Sequence, residues 1–212
     1  MFEKKVTRRV VLGGAGAALV TAGTALWLPG SAVAAPEIAS CDDWGAAPPR
    51  GNLSVVGQRP DKIVIHHTAT PNSDDYSRRH AYELARGIQQ AHFGNGWDDT
   101  GQHFTVSRGG HIMCGRRGSL GAARDGHKVV IGAHCPGQNE QIGIENEGTY
   151  TDARMRDEHY AKLVRLCAWL CRQYDIRPGR IYGHRDFFAT ACPGDTLYHL
   201  LPKLRDDVRR QA

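Results

Sequence analysis

Residues 182–195 read Tyr-Gly-His-Arg-Asp-Phe-Phe-Ala-Thr-Ala-Cys-Pro-Gly-Asp. His184 and Cys192 stand with seven residues between them, and Pro193-Gly194 turns the chain away behind the thiol. Neither a packed core nor an ordinary surface loop needs that arrangement. A metal ion does. Zinc in a catalytic site typically takes three protein ligands, drawn from imidazole, thiolate and carboxylate, and leaves a further position open to water. The loop is long enough to fold both donors onto one ion, and Gly183 lets the backbone come close. The third donor must come from a rigid element elsewhere, and His66, at the end of Ile63-Val64-Ile65, fits. Taken singly, each residue has a plainer reading: a strand-end histidine in a hydrogen bond, a cysteine in a disulfide, a loop held by an Arg–Asp pair. Taken together they point to a metal.

The elements that must position these donors read as α/β. Lys62–His67 is a β-branched run bounded by Pro60-Asp61 and Thr68, a buried strand whose last residues emerge at a sheet end. Residues 77–92 carry Ala81, Leu84, Ala85, Ile88 and Ala91 at helical spacing, stopped by Gly94-Asn95-Gly96. Gln102–Ser107 and His111–Cys114 form a hairpin around Arg108-Gly109-Gly110. The glycine-rich, basic stretch 115–128 reads as a surface loop, and 129–131 and 142–145 as further strands. A long helix fits 152–174, with Tyr160, Leu163, Cys167, Leu170 and Tyr174 on its apolar face. A short strand at Ile181-Tyr182 leads into the donor loop. Leu197, Leu200, Leu204 and Val208 give a last helix, interrupted or restarted at Pro202. The expectation is one domain at 61–212, a central mixed sheet flanked by helices, preceded by a polar lead-in at 35–60.

Residues 1–34 stand apart. Lys4, Lys5, Arg8 and Arg9 precede an apolar Gly/Ala-rich run that ends in Ala32-Val33-Ala34, the pattern of an export signal. The paired arginines before Val10-Val11-Leu12 assign it to the twin-arginine route, an address and not an anchor. Without this segment, which holds four basic residues and one acidic, 23 basic residues face 21 acidic ones, a net charge of +2. No basic stripe or aromatic-interleaved basic motif indicates nucleic acid. Secretion, no stable membrane anchor and a monomer are the corresponding expectations. An exported chain is permitted disulfides. With Cys192 on the metal, Cys41, Cys135, Cys167 and Cys171 are expected to supply one or two bridges and Cys114 to stay free.

The segments "IVIHHTATPN", "GWDDTGQHF", "GAHCPG" and "YGHRDFFATACPGD" occur in this order in the zinc-dependent N-acetylmuramoyl-L-alanine amidases, the family of peptidoglycan recognition proteins and phage amidase lysozymes, which the chain resembles from about Trp44 to about Leu204. The resemblance implies Zn²⁺ held by His66, His184 and Cys192, with His67 not a ligand. It implies a muropeptide substrate, cut at the amide between the lactyl group of N-acetylmuramic acid and L-alanine. Thr190, two before the cysteine, is implied beside the scissile carbonyl. Gln102 stands where active recognition proteins usually carry a tyrosine, and a glutamine has no titratable proton. A substitute comes from "IGIENEGTY", which resembles the segment where cytoplasmic anhydro-muropeptide amidases carry a catalytic glutamate after Ile-Gly-Ile. By that match Glu145 is the acid–base residue. Glu147, on the same face by strand alternation, is the alternative, and ligand orientation or an arginine pair is the plainer role for Glu145. His134 resembles a substrate-contacting histidine, and Trp97 and Gln102 are further substrate-side candidates. The remaining histidines, His92 included, read as structural or surface residues, and His103 has no assigned role. The rival expectation is a recognition domain that holds muropeptide without cutting it.

Overall fold

The computed structural model describes residues 35–212, so the expected export signal at 1–34 lies outside it. Along these residues the elements are β1 (Ile38–Ala39), β2 (Val55–Val56), β3 (Ile63–His67), α1 (Arg78–Gly94), β4 (Phe104–Val106), β5 (Ile112–Cys114), α2 (Ser119–Asp125), β6 (Val129–Val130), β7 (Ile142–Asn146), α3 (Asp157–Tyr174), β8 (Ile181–Gly183) and α4 (Asp195–Gln211). Six strands form one sheet in the order β1-β5-β4-β7-β3-β8, and β2 pairs with β6 apart from it. Only β4 and β5 are antiparallel within the large sheet. The mixed sheet with flanking helices is the architecture expected.

The alternation of strand side chains divides the sheet into two chemistries. Ile63 and Ile65 pair in register with Ile142 and Ile144, and Ile144 with Phe104. Together with Val106, these join a core with Leu163, Leu166 and Leu170 of α3 and with Leu197, Leu201, Leu204 and Val208 of α4. Each such side chain, fully buried, contributes about 1.5–3 kcal/mol. The opposite face carries Val64, His66, Gly143, Glu145 and Thr105. Apolar burial thus clamps the sheet from one side and leaves the strand ends of the other free for polar work.

Local chemistry sets the helix ends. Ser77 caps α1 by accepting from the His80 amide at 3.2 Å. The helix expected from 152 begins only at Asp157, because Arg156 is tied down in extended conformation. Its guanidinium donates to the Arg108 carbonyl at 2.8 Å and lies 3.5 Å over the Tyr76 ring. Nor does α4 break at Pro202. The missing amide costs one backbone bond, but Leu197 and Leu201 before it and Leu204 and Val208 after it bury on one face and hold the halves in line. The stretch 115–128 is not all loop: α2 buries Leu120, Ala122 and Ala123 between Gly118 and Gly126.

The cysteine expectation is overturned. All six are free thiols. Cys167 and Cys171 sit one turn apart on α3, both facing the core, and Cys135 is buried in the loop before β7. No helix of the described residues is long and apolar enough to cross a membrane.

Candidate metal centre

His66 lies on β3, flanked by both neighbouring strands. On one side its register partner on β7 is Glu145, and on the other β8 pairs with β3 up to Ile65 and Gly183, so His184 follows directly beyond the last pair. The His66 and His184 rings are 4.5 Å apart between centroids. Cys192 arrives from the loop. Its Sγ lies 3.7 Å from His66 Nδ1 and 3.4 Å from the His67 amide nitrogen. One donor atom from each of His66, His184 and Cys192 falls within 4.8 Å of the others.

The loop between His184 and Cys192 is closed by Arg185. Its backbone amide donates to the Cys192 carbonyl at 3.1 Å, and its guanidinium reaches both the Ala191 carbonyl and Asp195, the latter at 2.6 Å. Asp186 accepts from the Gly183 amide at 2.8 Å and from the Tyr198 hydroxyl at 2.5 Å. The Arg–Asp clamp and the metal reading are therefore compatible: the clamp shapes the loop that carries the thiol. Gly194 has φ of +90°, and a Cβ there would stand 2.3 Å from the Tyr150 carbonyl carbon, so the turn behind Cys192 requires glycine.

The buried hydrogen bonds fix which nitrogen of His66 faces the thiol. His134 Nε2 lies 3.0 Å from the Gln141 carbonyl, which only accepts, so Nε2 carries the proton and Nδ1 is the acceptor. His66 Nε2 therefore donates to His134 Nδ1 at 3.1 Å, and its Nδ1 lone pair points toward Cys192. Burial drives the pKa of both rings down, His134 to about 3, so both are neutral, as metal ligation demands of His66. His134, 8% exposed, has both nitrogens engaged and holds the His66 ring in place. A Cβ on Gly143 would come within 2.6 Å of the His134 ring, so the ring packs flat on bare backbone. His103 braces the same layer: it donates from Nε2 to the Val130 carbonyl at 2.7 Å, and its Nδ1 accepts from the Gly143 amide at 2.9 Å.

The donor set fits zinc. Two neutral imidazoles and a cysteine converge, and His184 Nε2 is buried with no hydrogen-bond partner, an atom that lacks only an electron-pair acceptor. Burial raises the Cys192 thiol to about 12, so a metal must displace its proton.

Glu145 makes no hydrogen bond or ion pair with any described residue. It lines a cleft of about 240 Å³ with Thr68, Thr70, Leu84, Ile88 and His92, and desolvation of its carboxyl raises its pKa to about 8. Glu147 is instead consumed by structure, accepting from the Arg108 amide at 2.7 Å and pairing with His80 at 2.7 Å. Thr190 Oγ1 accepts from the Cys192 amide at 3.2 Å, which leaves its own O–H proton uncommitted. Gln102 is buried and donates to Thr105 Oγ1 at 2.8 Å; Thr105 is the register partner of Glu145. Gln102 thus lies behind the site and not on a substrate surface. Trp97 is partly exposed and packs 4.6 Å from the His92 ring. His92, read as bland in the sequence, borders the cleft from α1; its Nδ1 accepts from the Gly101 amide at 3.0 Å, and burial lowers its pKa to about 4. Phe188, 49% exposed, stacks at 5.9 Å over His184. Neither residue carries a sequence signal beyond its place on the α1 face or in the donor loop.

With this geometry in hand, the sequence signature described as N-acetylmuramoyl-L-alanine amidase matches residues 56–195. The chain belongs to the N-acetylmuramoyl-L-alanine amidase family. It is 33% identical over 165 residues to a human N-acetylmuramoyl-L-alanine amidase, covering 74% of this chain and 26% of the human one. It is 30% identical over 172 residues to peptidoglycan-recognition protein LB of Drosophila melanogaster, covering 80% and 69%. The chain thus spans about a quarter of the mammalian amidases it matches and over two thirds of the insect protein. The structure of peptidoglycan recognition protein-LE with tracheal cytotoxin, a monomeric diaminopimelic acid-type peptidoglycan, superposes with a TM-score of 0.67 at 28% identity, covering 78% of this chain and 92% of that one.

Proposed function

We propose that this family member is an exported, zinc-dependent amidase that cleaves the bond between N-acetylmuramic acid and the L-alanine of the stem peptide. The observation that carries the reading is the convergence of His66, His184 and Cys192 with an unpartnered glutamate, Glu145, one strand away. Zinc bound there supplies Lewis acidity and a water whose pKa falls to about 7. The chain's own residues do the rest. Glu145, whose carboxylate has no other partner and faces the cleft, takes the proton of the attacking water and delivers it to the leaving nitrogen. Such proton transfer contributes about 10²–10⁴-fold. Thr190 turns its free O–H toward the oxygen of the scissile carbonyl as charge builds on it. The Arg185 clamp keeps the thiol-bearing loop closed on the His66 layer. The cleft beside α1, bordered by His92, takes the substrate, with Trp97 packed against that histidine. Glu145 fills the acid–base role that Gln102 cannot.

The test is incubation of the protein with purified sacculi or a muramoyl-peptide, with and without a chelator, followed by quantification of new N-terminal alanine. Chelator-sensitive release is the expected result. Binding of muropeptide with no release under any metal condition would transfer the chain to the recognition branch.

A further inference from the structure

The amidase reading uses one cysteine of six. Two of the others face each other. Cys41 follows β1 and Cys114 ends β5, and these strands pair in parallel with Ala39 opposite Met113. Both side chains are buried, at 6% and 2% exposure, and Cys41 Sγ lies 3.8 Å from the Cys114 carbonyl oxygen. Cys41 Sγ also lies 3.2 Å from the Gly115 carbonyl, and Trp44 donates its indole N–H to the Cys114 carbonyl at 2.7 Å. The residues around the sulfurs are therefore held by the sheet edge and by a buried indole. A cleft of about 200 Å³ reaches the pair, bordered by both cysteines and by Arg117 and Arg124. Arg117 pairs with Asp42 at 2.8 Å on the same rim, which leaves Arg124 to meet an anionic small-molecule disulfide.

We propose that Cys41 and Cys114 are a disulfide-forming pair that latches the lead-in segment to the edge of the sheet. The two sulfurs are not equivalent. Cys41 directs its S–H to the Gly115 carbonyl at 3.2 Å, whereas Cys114 meets only the Arg116 carbonyl at 3.6 Å, so Cys114 gives up its proton more readily and is the attacking group. Its thiolate attacks one sulfur of an external disulfide, such as oxidised glutathione, and releases one thiolate. The Cys41 thiolate then displaces the second half and closes the Cys41–Cys114 bond. Two protons and two electrons leave the protein, and one external disulfide becomes two thiols. The other cysteines offer no such pair: Cys167 and Cys171 project from one helix, and Cys192 belongs to the metal centre.

The bond would close a loop between positions 73 apart. A constraint of that length on the unfolded chain raises the melting temperature of a protein this size by on the order of 10 °C. The test equilibrates the purified, zinc-loaded full chain in glutathione buffers and then denatures and alkylates it for intact-mass and peptide analysis. Expected are two fewer alkylated thiols than the six present, a linked peptide joining Cys41 and Cys114, and a melting temperature that rises on oxidation. Cys41→Ser should abolish both the loss of thiols and the rise. Six alkylatable thiols after oxidation, a cross-link mapped to other cysteines, or a cross-link with no rise in melting temperature would each overturn the proposal. The mapping uses the wild-type chain, so it stands whether or not the serine variant folds. Its readout is independent of catalysis, so loss of the amidase reading leaves it untouched.

Discussion

Replacing Glu145 by glutamine keeps the side chain's shape and removes its charge, which separates two consequences of one environment. The carboxyl has no partner, and desolvation lifts its pKa from 4.5 to about 8. The folded protein therefore holds this proton more tightly than the unfolded chain does. By linkage, this carboxyl's contribution to the metal-free fold is fully present below the unfolded pKa near 4.5 and is lost as pH rises toward 8. At about 1.4 kcal/mol for each tenfold change in proton affinity, the loss has an upper bound of about 5 kcal/mol. Part of the residue reaches the cleft, so solvent screening reduces this to about 2–3 kcal/mol. Chelator-stripped wild type and Glu145→Gln should be unfolded in urea at several values between pH 4.5 and 8. Both proteins should gain stability from the low end of the window as the buried neutral histidines cease to favour the unfolded state, so the reading is the difference: wild type minus variant should fall by about 2–3 kcal/mol between pH 4.5 and 8. With zinc restored, the variant should bind metal normally and lose about 10²–10⁴ in turnover. Parallel stability curves would refute the burial argument, and near-normal turnover would remove Glu145 from the mechanism.

Cys192→Ala should fold, as its loop is held by Arg185 and Asp186, yet purify without stoichiometric zinc by elemental analysis and release no alanine. Thr190→Val removes an oxyanion donor worth about 3 kcal/mol, so kcat should fall about 10²-fold with zinc content unchanged. His134→Phe frees the Nε2 proton of His66 and should weaken zinc about 10–100-fold in competition with a chromophoric chelator. Gly143→Ala drives a methyl into the His134 ring, and the same assay should register a comparable loss of affinity together with a lower melting temperature.

Some of this was legible in the sequence for plain physical reasons. The chemistry of a ligand loop is local, so His184, Cys192 and the turn behind them could be read from one stretch. His66 followed from a β-branched run that had to end somewhere polar. The alternation of residues 142–147 separated Glu145 from the isoleucines, but it put Glu147 on the same side and could not reveal that His80 and Arg108 already occupy it. What escaped was whatever depends on partners distant along the chain. His134 read as a substrate contact because nothing in Gly132-Ala133-His134 announces that β3 delivers His66 against it. Gln102 read as substrate-side because its neighbour Thr105 faces the glutamate only once β4 pairs with β7. The expected bridges were not found, and that Cys41 and Cys114 are neighbours escaped notice because the parallel β1–β5 pair was hidden in two residues of a polar lead-in. The short α2 was masked by the glycines that bound it.

One imidazole rides on β3 and the other directly follows its parallel neighbour β8, strands whose spacing of about 4.8 Å is set by the backbone ladder, while the sulfur hangs from a turn outside the sheet. Two of the three donors are thus placed by the backbone ladder and one by a loop. If the amidase reading holds, altering that one turn would remove a donor with no strand needing to shift and no leucine needing to repack.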